Sequence, residues 1–200
     1  DTPGRMLRIF ERGHVMEDCM VAWLRDAGFD LRTKKPDGGQ FGFSDAHGRL
    51  RGHVDGVFVA GPEGYAYPAL WECKFLGTKA WRELEKHRLA VAKPVYAAQV
   101  AMYQAYLDLH ANPALFTAIN KDNQSLHFES VEFDAELAQR MSDRAVRVLD
   151  ATTSHELLPR CATSSTAWTS RPAANSTRRC WRSTNAPSNC AAAMAAGLHC

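Results

Sequence analysis

Apolar residues recur with helical spacing along the first 27 residues of the chain. The apolar positions are Leu7, Phe10, Met16, Met20, Trp23 and Leu24, and Gly28 follows them as a stop signal. This pattern predicts a helix over residues 4–27. Gly13 marks a point at which this helix can divide into two.

The next stretch alternates short β-type runs with glycine-rich turns. It reads KKPDGGQFGFSDAHGRLRGHVDGVFVAGPEGYAYPALWECKF and covers residues 34–75. Glycine and proline clusters separate its apolar runs, which predicts strands near residues 40–44, 50–60 and 68–75. We expect the last two strands to form an antiparallel hairpin through GPEGYAYP.

The second half returns to helices and then to a hairpin. Residues 78–92 are charged with helical spacing, and Pro94 opens a further helix, VYAAQVAMYQAYLDLH. Two strand-like runs, ALFTAIN and LHFESVEFD, flank a turn at Asp122, and Asp134 caps a last helix over residues 135–151. The order helix, three strands, helices, two strands, helix predicts an α/β domain around a small mixed sheet flanked by helices.

The last fifty residues differ from the rest in composition. Residues 151–200 lack Val, Ile, Phe, Tyr, Lys, Gln and Asp, and Ala, Ser and Thr supply 25 of these 50 residues. Burial of so few core-forming side chains does not offset the loss of chain entropy on ordering. We therefore expect a folded domain over residues 1–150, followed by a disordered low-complexity tail. The loss of pattern near Arg160 is also what a shifted reading frame produces, which sequencing of the coding DNA tests. Because helical pattern starts almost at Asp1, we also expect residues upstream that this chain lacks.

Charge and apolar content narrow the class of protein. The net charge is +2, but residues 151–200 hold five Arg and one acid, so residues 1–150 are at −2. Net charge therefore gives no argument for DNA binding by the main domain. No apolar run approaches the roughly 20 residues of a membrane span and no signal peptide opens the chain, so we expect a soluble, intracellular protein without a membrane partner.

The cysteine spacing bears on metal clusters. The six cysteines include no CxxC pair, so we expect neither a zinc site nor an iron–sulfur cluster. Cys19 and Cys73 lie in apolar segments and are interpreted as small buried hydrophobic residues.

The run LWECKF, residues 70–75, carries two opposite charges within an apolar strand. Residues i and i+2 of a strand share a face, so Glu72 and Lys74 point one way and Trp71, Cys73 and Phe75 point into the core. If the predicted hairpin forms, Asp55 lies beside Glu72, and the two carboxylates suit Mg²⁺. The alternative is a solvated edge-strand ion pair, worth at most about 1 kcal/mol.

Four motifs in order resemble a known family over residues 5–150. They are a helical Glu17, Asp55 in HVDG, Glu72 and Lys74 in ECK, and QVAMY with Gln99 and Tyr103. Together they resemble the PD-(D/E)XK nuclease superfamily, in its RecB-like and lambda-type phage-exonuclease-like branch. The element order is similar to that family's αβββαβ core. His-Val-Asp replaces the family's Pro-Asp.

The resemblance implies a set of roles. Asp55, Glu72 and the main-chain carbonyl of Cys73 would bind Mg²⁺, with Mn²⁺ as a substitute, and Glu17 would hold a second metal ion. Lys74 would orient the attacking water. Gln99 would position Lys74, the water or the scissile phosphate.

The implied activity is Mg²⁺-dependent hydrolysis of DNA phosphodiester bonds. The resemblance favours an exonuclease on linear duplex or single-stranded DNA, of phage or prophage recombination or DNA-repair type, in the cytoplasm of a bacterial or phage-infected cell. One alternative is a nuclease that trims DNA ends in CRISPR adaptation, which predicts an iron–sulfur cluster. Another is a catalytically idle DNA-binding or assembly module. A homo-oligomer and a recombination partner protein both stay open.

Further residues are candidates for substrate contact, each with a structural alternative. They are His14, Tyr103, Lys79, Arg82 and Lys86. His14 equally suits a helix-surface imidazole, and Tyr103 suits core packing at its helical spacing from Gln99. The basic residues of the 78–92 helix suit a solvated mixed-charge face as well as phosphate contacts.

Overall fold

The structure is a computed structural model that describes residues 2–158. Its elements, in chain order, are α1 (Gly4–Asp26), β1 (Asp30–Arg32), β2 (Gly42–Asp45), β3 (Leu50–His53), β4 (Gly56–Ala60), β5 (Ala69–Leu76), α2 (Thr78–Ala92), α3 (Pro94–Tyr106), β6 (Ala114–Asn120), β7 (Leu126–Val131) and α4 (Ala135–Ser154). The predicted α/β class with a mixed sheet flanked by helices is confirmed.

Five strands form the main sheet, in the order β1-β4-β5-β6-β7. The pair β5 and β6 is parallel, and α2 and α3 make the crossover between them, whereas the other neighbours are antiparallel. The strands β2 and β3 form a separate two-stranded sheet. β5 is therefore the central strand of the main sheet.

Apolar side chains cover both faces of the sheet. On one face Leu70 and Phe116 pack in a cluster with Leu84 of α2 and Val100 of α3. On the other face Trp71 packs in a second cluster that includes Met20 and Leu24 of α1. The prediction that Trp71, Cys73 and Phe75 point into the core is confirmed, and helices also cover the face that carries Glu72 and Lys74.

The expected strand over residues 50–60 is in fact two strands in two sheets. β3 pairs with β2, whereas β4 pairs with β1 and β5, and the chain turns between them at Val54 and Asp55. The Val54 N–H donates to the Phe41 carbonyl at 3.0 Å, which ties the turn to the start of β2. His53, the last residue of β3, therefore lies in a different sheet from β4 and β5, and its side chain is exposed.

Other boundaries also differ from the sequence-based expectations. α1 runs through Gly13 without a break, and β1 is a three-residue strand that the pattern did not predict. α3 ends at Tyr106 rather than at residue 110, because Asp108 adopts a left-handed conformation with φ 57°. The hairpin of β6 and β7 and the cap at Asp134, which accepts from the Leu137 N–H at 2.8 Å, are confirmed.

The end of the domain lies beyond the expected boundary at residue 150. α4 continues to Ser154, so its last turn belongs to the folded domain. Of the tail that was expected over residues 151–200 to be disordered or frame-shifted, residues 159–200 lie outside the described residues. In the described part of the chain, no helix combines the length and the apolar character that crossing a membrane requires.

Candidate active site

The strand β5 has neighbours on both sides only along its first half. Residues Ala69 to Trp71 pair with β4, whereas pairing with β6 continues from Trp71 to Leu76. Beyond Trp71 the other edge of β5 meets the side chain of Asp55, whose Oδ2 accepts from the Cys73 N–H at 2.8 Å. The N–H and C=O of one strand residue point to the same side, so the Cys73 carbonyl also faces this edge. Residues 72–76 thus have one edge that no strand of the described part of the chain covers.

Glu72 lies on this open half of β5 and is completely buried. Its Oε1 accepts from the Gln99 Nε2 at 2.8 Å and from the Lys74 ammonium. Its Oε2 is buried and has no hydrogen-bond partner among the described residues. Burial, and then the neighbouring Asp55, raise the pKa of Glu72 to about 8, although Lys74 acts in the opposite direction.

Lys74 lies between the carboxylates of Glu72 and Asp55. Its Nζ contacts Glu72 Oε1, is 4.0 Å from Asp55 Oδ2, and is 5.4 Å from the ring centroid of Tyr96. Burial alone lowers the pKa of Lys74, but the two carboxylates outweigh it and the pKa is raised. The side chain therefore stays an ammonium at neutral pH. The alternative of a solvated edge-strand pair is wrong, because Glu72 is buried in the central strand.

Asp55 and Glu17 complete an acidic cluster around the single Lys74. Burial raises the pKa of Asp55, although Lys74 and the Cys73 N–H lower it. Burial, and then Asp55, raise the pKa of Glu17, whereas His14 and, to a lesser extent, Lys74 lower it. Glu17 lies on α1 rather than on the sheet, but it thus belongs to the same electrostatic cluster. Three carboxylates share one cation, which leaves an excess of negative charge.

Gln99 and Tyr103 lie on the same face of α3, as predicted. Gln99 Nε2 donates to Glu72 Oε1 and also to the Tyr103 hydroxyl at 3.1 Å. The resemblance implied that Gln99 contacts Lys74, a water or a phosphate, whereas its contact in the structure is the Glu72 carboxylate. The Tyr103 ring packs edge-on against Phe43 at 6.0 Å between centroids, so it has the packing role as well as a link to the cluster.

His14 borders the cluster, and Cys73 contributes its backbone. The His14 side chain is 78% exposed and its Nδ1 is 3.9 Å from Glu17 Oε2. It is therefore both a helix-surface imidazole and a neighbour of the site. Burial raises the pKa of the Cys73 thiol to about 12, so this thiol is not a nucleophile at neutral pH.

The predicted basic contacts on α2 lie away from the carboxylates. Lys79, Arg82 and Lys86 are exposed, and none of them forms a salt bridge with the acidic cluster. Their contact with phosphate stays a prediction.

Sequence reasoning missed Tyr96, whose ring lies below the Lys74 ammonium. Its signal was available, because Tyr96 is three residues before Gln99 and thus on the same side of α3. It also missed the bond between Asp55 and the Cys73 N–H, which depends on the break between β3 and β4.

The carboxylate oxygens of the cluster are ligands that a hard cation prefers, but the side chains are not yet arranged around one point. Within residues 2–158, no three His, Cys, Asp or Glu side chains already converge as a metal-binding group. Lys74 instead lies between Asp55 and Glu72. The buried Oε2 of Glu72 without a partner and the three carboxylates with raised pKa values nevertheless fit a divalent cation, which prefers oxygen ligands.

Comparisons with known proteins give little beyond the geometry. No protein-family model matches the chain, and no curated protein matches it. One solved structure with similarity to this chain is described as the crystal structure of SSO0001. It shares 12% identity at a TM-score of 0.43, and the match covers 74% of this chain and 62% of that chain.

Proposed function

We propose that this chain is a Mg²⁺-dependent deoxyribonuclease of the PD-(D/E)XK type that hydrolyses phosphodiester bonds. The observation that carries the proposal is the cluster of the buried Glu72 with the partly buried Asp55 and Lys74 at the open edge of β5, with Glu17 electrostatically coupled to it. A purely structural role does not account for a fully buried carboxylate with an oxygen that has no partner.

The connectivity supports the same family. α1 precedes the antiparallel pair β4 and β5, α2 and α3 follow, and β6 returns parallel to β5. This order is what the αβββαβ core of the family requires. An exonuclease acting on linear DNA in phage or prophage recombination is the finer form of the proposal and derives from the family resemblance alone.

Asp55, Glu72, Glu17 and the Cys73 carbonyl are the groups that would hold the metal ions. A divalent cation held by these groups would lower the pKa of a bound water and would neutralise the charge that develops on the phosphate. Burial raises the pKa of all three carboxylates, and a bound cation would favour their charged forms.

The protein's own side chains bind and orient the attacking water and the phosphate. Lys74 stays protonated, so its ammonium donates hydrogen bonds to the attacking water or to a phosphate oxygen and does not act as a base. Gln99 fixes Glu72 Oε1 by its hydrogen bond, and the Tyr96 ring limits the positions that the Lys74 ammonium can take. Burial of the cluster keeps these groups fixed before substrate binds.

The test is degradation of a linear DNA duplex with Mg²⁺ or Mn²⁺, comparing wild type with Asp55→Asn and Lys74→Ala. We expect loss of about 10³-fold in rate for each variant, the order seen when one charge-stabilising group is removed from a preorganised site. Arg49→Ala, which breaks contacts of the β2–β3 turn with α4, serves as a control that keeps activity. Full activity in either site variant, or none in wild type, contradicts the proposal. Circular DNA in parallel separates cutting within a strand from digestion at an end.

A further inference from the structure

A pair of basic side chains lies beside the open half of β5, on the face that α1 covers. Arg12 of α1 donates from Nη2 to the Lys121 carbonyl at 3.0 Å, and its guanidinium carbon is 5.2 Å from the centroid of the Phe75 ring. Both Arg12 and Lys121 are exposed. Phe75 follows Lys74 in β5 but its ring lies on the opposite face of the sheet, so Arg12 lies on the α1 side of the strand that carries the cluster.

Two fixed contacts preorganise the Arg12 guanidinium. The carbonyl of Lys121 and the face of the Phe75 ring hold it in one orientation, which lowers the entropy cost of a further contact. A guanidinium has five N–H donors, and a single bond to a carbonyl leaves others for a ligand. Arg12 is also five residues before Glu17, about 7.5 Å along the helix axis.

The Lys121 side chain lies at the carboxyl ends of the parallel pair β5 and β6. The Lys121 N–H donates to the Leu76 carbonyl at 2.8 Å, and a Cβ at Gly77 would be 3.5 Å from the Lys121 Nζ. The crevice beyond the carboxyl ends of parallel strands is where α/β sheets bind ligands. Lys121 thus directs its charge to the same end of β5 as Arg12.

Acidic side chains in the described part of the chain do not neutralise the positive charges of Arg12 and Lys121. Within residues 2–158, neither Arg12 nor Lys121 forms a salt bridge. Asp122 is near enough that both cations help to lower its pKa, but the larger causes are its bonds from the Thr78 hydroxyl and N–H. Two cations beside one engaged carboxylate leave a net positive charge at the carboxyl end of β5, the strand that carries the acidic cluster.

We propose that Arg12 and Lys121 bind a DNA backbone phosphate that flanks the phosphate being cut. This inference rests on the proposed nuclease function and deepens it, because it names the surface along which the substrate strand leaves the site. A planar guanidinium with a nearby ammonium fits a phosphodiester, whose contacts position DNA without reading its sequence. The acidic cluster repels phosphates, so a flanking cationic contact holds the strand against that repulsion.

The test is the salt dependence of DNA binding, measured by fluorescence anisotropy of a labelled linear duplex in EDTA so that the DNA stays intact. Each lost phosphate contact reduces the steepness of log affinity against log salt by about 0.9. The gain in affinity on going from 1 M to 0.1 M salt is then roughly eightfold smaller than in wild type. We expect Arg12→Ala and Lys121→Ala each to show this loss. Arg12→Lys, which keeps the charge, is expected to retain the slope but to bind more weakly because it lacks the planar fork.

Arg25→Ala is the matched control. Arg25 also lies on α1 and also donates to a backbone carbonyl, that of Leu31, at 2.8 Å. It is thirteen residues beyond Arg12, roughly 20 Å along the helix. We expect its affinity and slope to equal those of wild type, and thermal unfolding establishes that each variant is folded.

The outcomes separate this inference from the function on which it rests. Wild-type affinity and slope in both Arg12→Ala and Lys121→Ala overturn the phosphate contact while Mg²⁺-dependent cleavage by wild type keeps the nuclease proposal. An equal loss in Arg25→Ala also overturns it, because the effect is then one of overall charge. A wild-type protein that neither binds nor cuts DNA overturns both.

Discussion

Two glutamates are buried within residues 2–158, and their surroundings differ. Glu129 of β7 is 7% exposed, and both of its oxygens accept from the Leu89 N–H, at 3.1 and 3.0 Å. Glu129 also has hydrogen bonds with Arg88 Nε at 3.4 Å and with His127 Nε2 at 3.1 Å. Glu72 is completely buried, yet its Oε2 has no partner among the described residues. A buried carboxylate with a structural role is saturated with hydrogen bonds, whereas one that awaits a ligand is not.

The backbone around Glu129 explains its role. Arg88 interrupts α2 with φ 62° and ψ 172°, a conformation that costs of order 1–3 kcal/mol for a residue other than glycine. The interruption exposes the Leu89 N–H as the start of a new helical turn, and the Glu129 carboxylate caps it. Glu129 thus holds α2 to the edge of the sheet, while Glu72 has two close carboxylates and one lysine.

The largest expected difference between the two glutamates is in catalysis. Glu72→Gln removes a proposed metal ligand and is expected to lower the rate of DNA cleavage by about 10³-fold. Glu129→Gln is expected to leave the rate close to that of wild type, because Glu129 lies on the far strand of the sheet. Initial rates on linear duplex with Mg²⁺ check this. Equal losses in the two variants would contradict the division of roles.

The next difference is in folding stability. Glu129→Ala leaves the buried Leu89 N–H without an acceptor and is expected to lower the free energy of unfolding by about 3 kcal/mol. Glu72→Gln at pH 8 is expected to cause no comparable loss, because it removes a buried group that ionises there. Urea unfolding measures both, and a greater loss from Glu72→Gln would reverse the comparison.

The pH dependence of stability follows from the raised pKa of Glu72. Its folded pKa is about 8 against an ordinary value of 4.5, so the native state holds the proton more tightly than the unfolded state. The resulting stability is fully present below pH 4.5 and is lost as the pH rises to about 8. Melting temperatures in EDTA are therefore expected to fall between pH 5 and pH 8, less steeply in Glu72→Gln than in Glu129→Gln. A slope in Glu72→Gln equal to that of wild type would refute this origin.

The smallest expected effect concerns the hydrogen bond that orients Glu72. Gln99→Ala removes the donor to Glu72 Oε1 and is expected to slow cleavage roughly tenfold, the equivalent of one hydrogen bond. Gln139→Ala is the control, since Gln139 makes a similar amide-to-carboxylate bond to Asp143 on α4 at 2.9 Å. A Gln99→Ala enzyme as fast as the Gln139→Ala control would remove Gln99 from the site.

The sequence predicted what depends on local patterns. The alternation in LWECKF identified β5 as a strand and Glu72 and Lys74 as neighbours on one face, and the GPEGYAYP turn predicted the pairing of β4 with β5. The helical spacing of Gln99 and Tyr103 predicted that they share one face of α3, where a hydrogen bond joins their side chains. Each of these rests on periodicity or turn chemistry within a few residues.

The rest depends on tertiary contacts that local patterns do not contain. The run over residues 50–60 satisfies strand periodicity throughout, so its division at Val54 and Asp55 becomes visible only when each part has found its own sheet. The burial of Glu72 requires α2 and α3 above its face of β5. Glu129 alternates with Phe128 as in any strand, and its importance arises from the break at Arg88, forty-one residues away in the chain.

The buried carboxylate of Glu72 is proposed to bind a divalent cation, whereas that of Glu129 is proposed to have a structural role. Calorimetric titration of the metal-free protein with Mn²⁺ tests this difference directly, with Glu72→Gln and Glu129→Gln as a matched pair. We expect saturable binding by wild type and Glu129→Gln, and a loss of at least about tenfold in affinity for Glu72→Gln. No binding by wild type, or the same affinity in Glu72→Gln, would contradict the central claim.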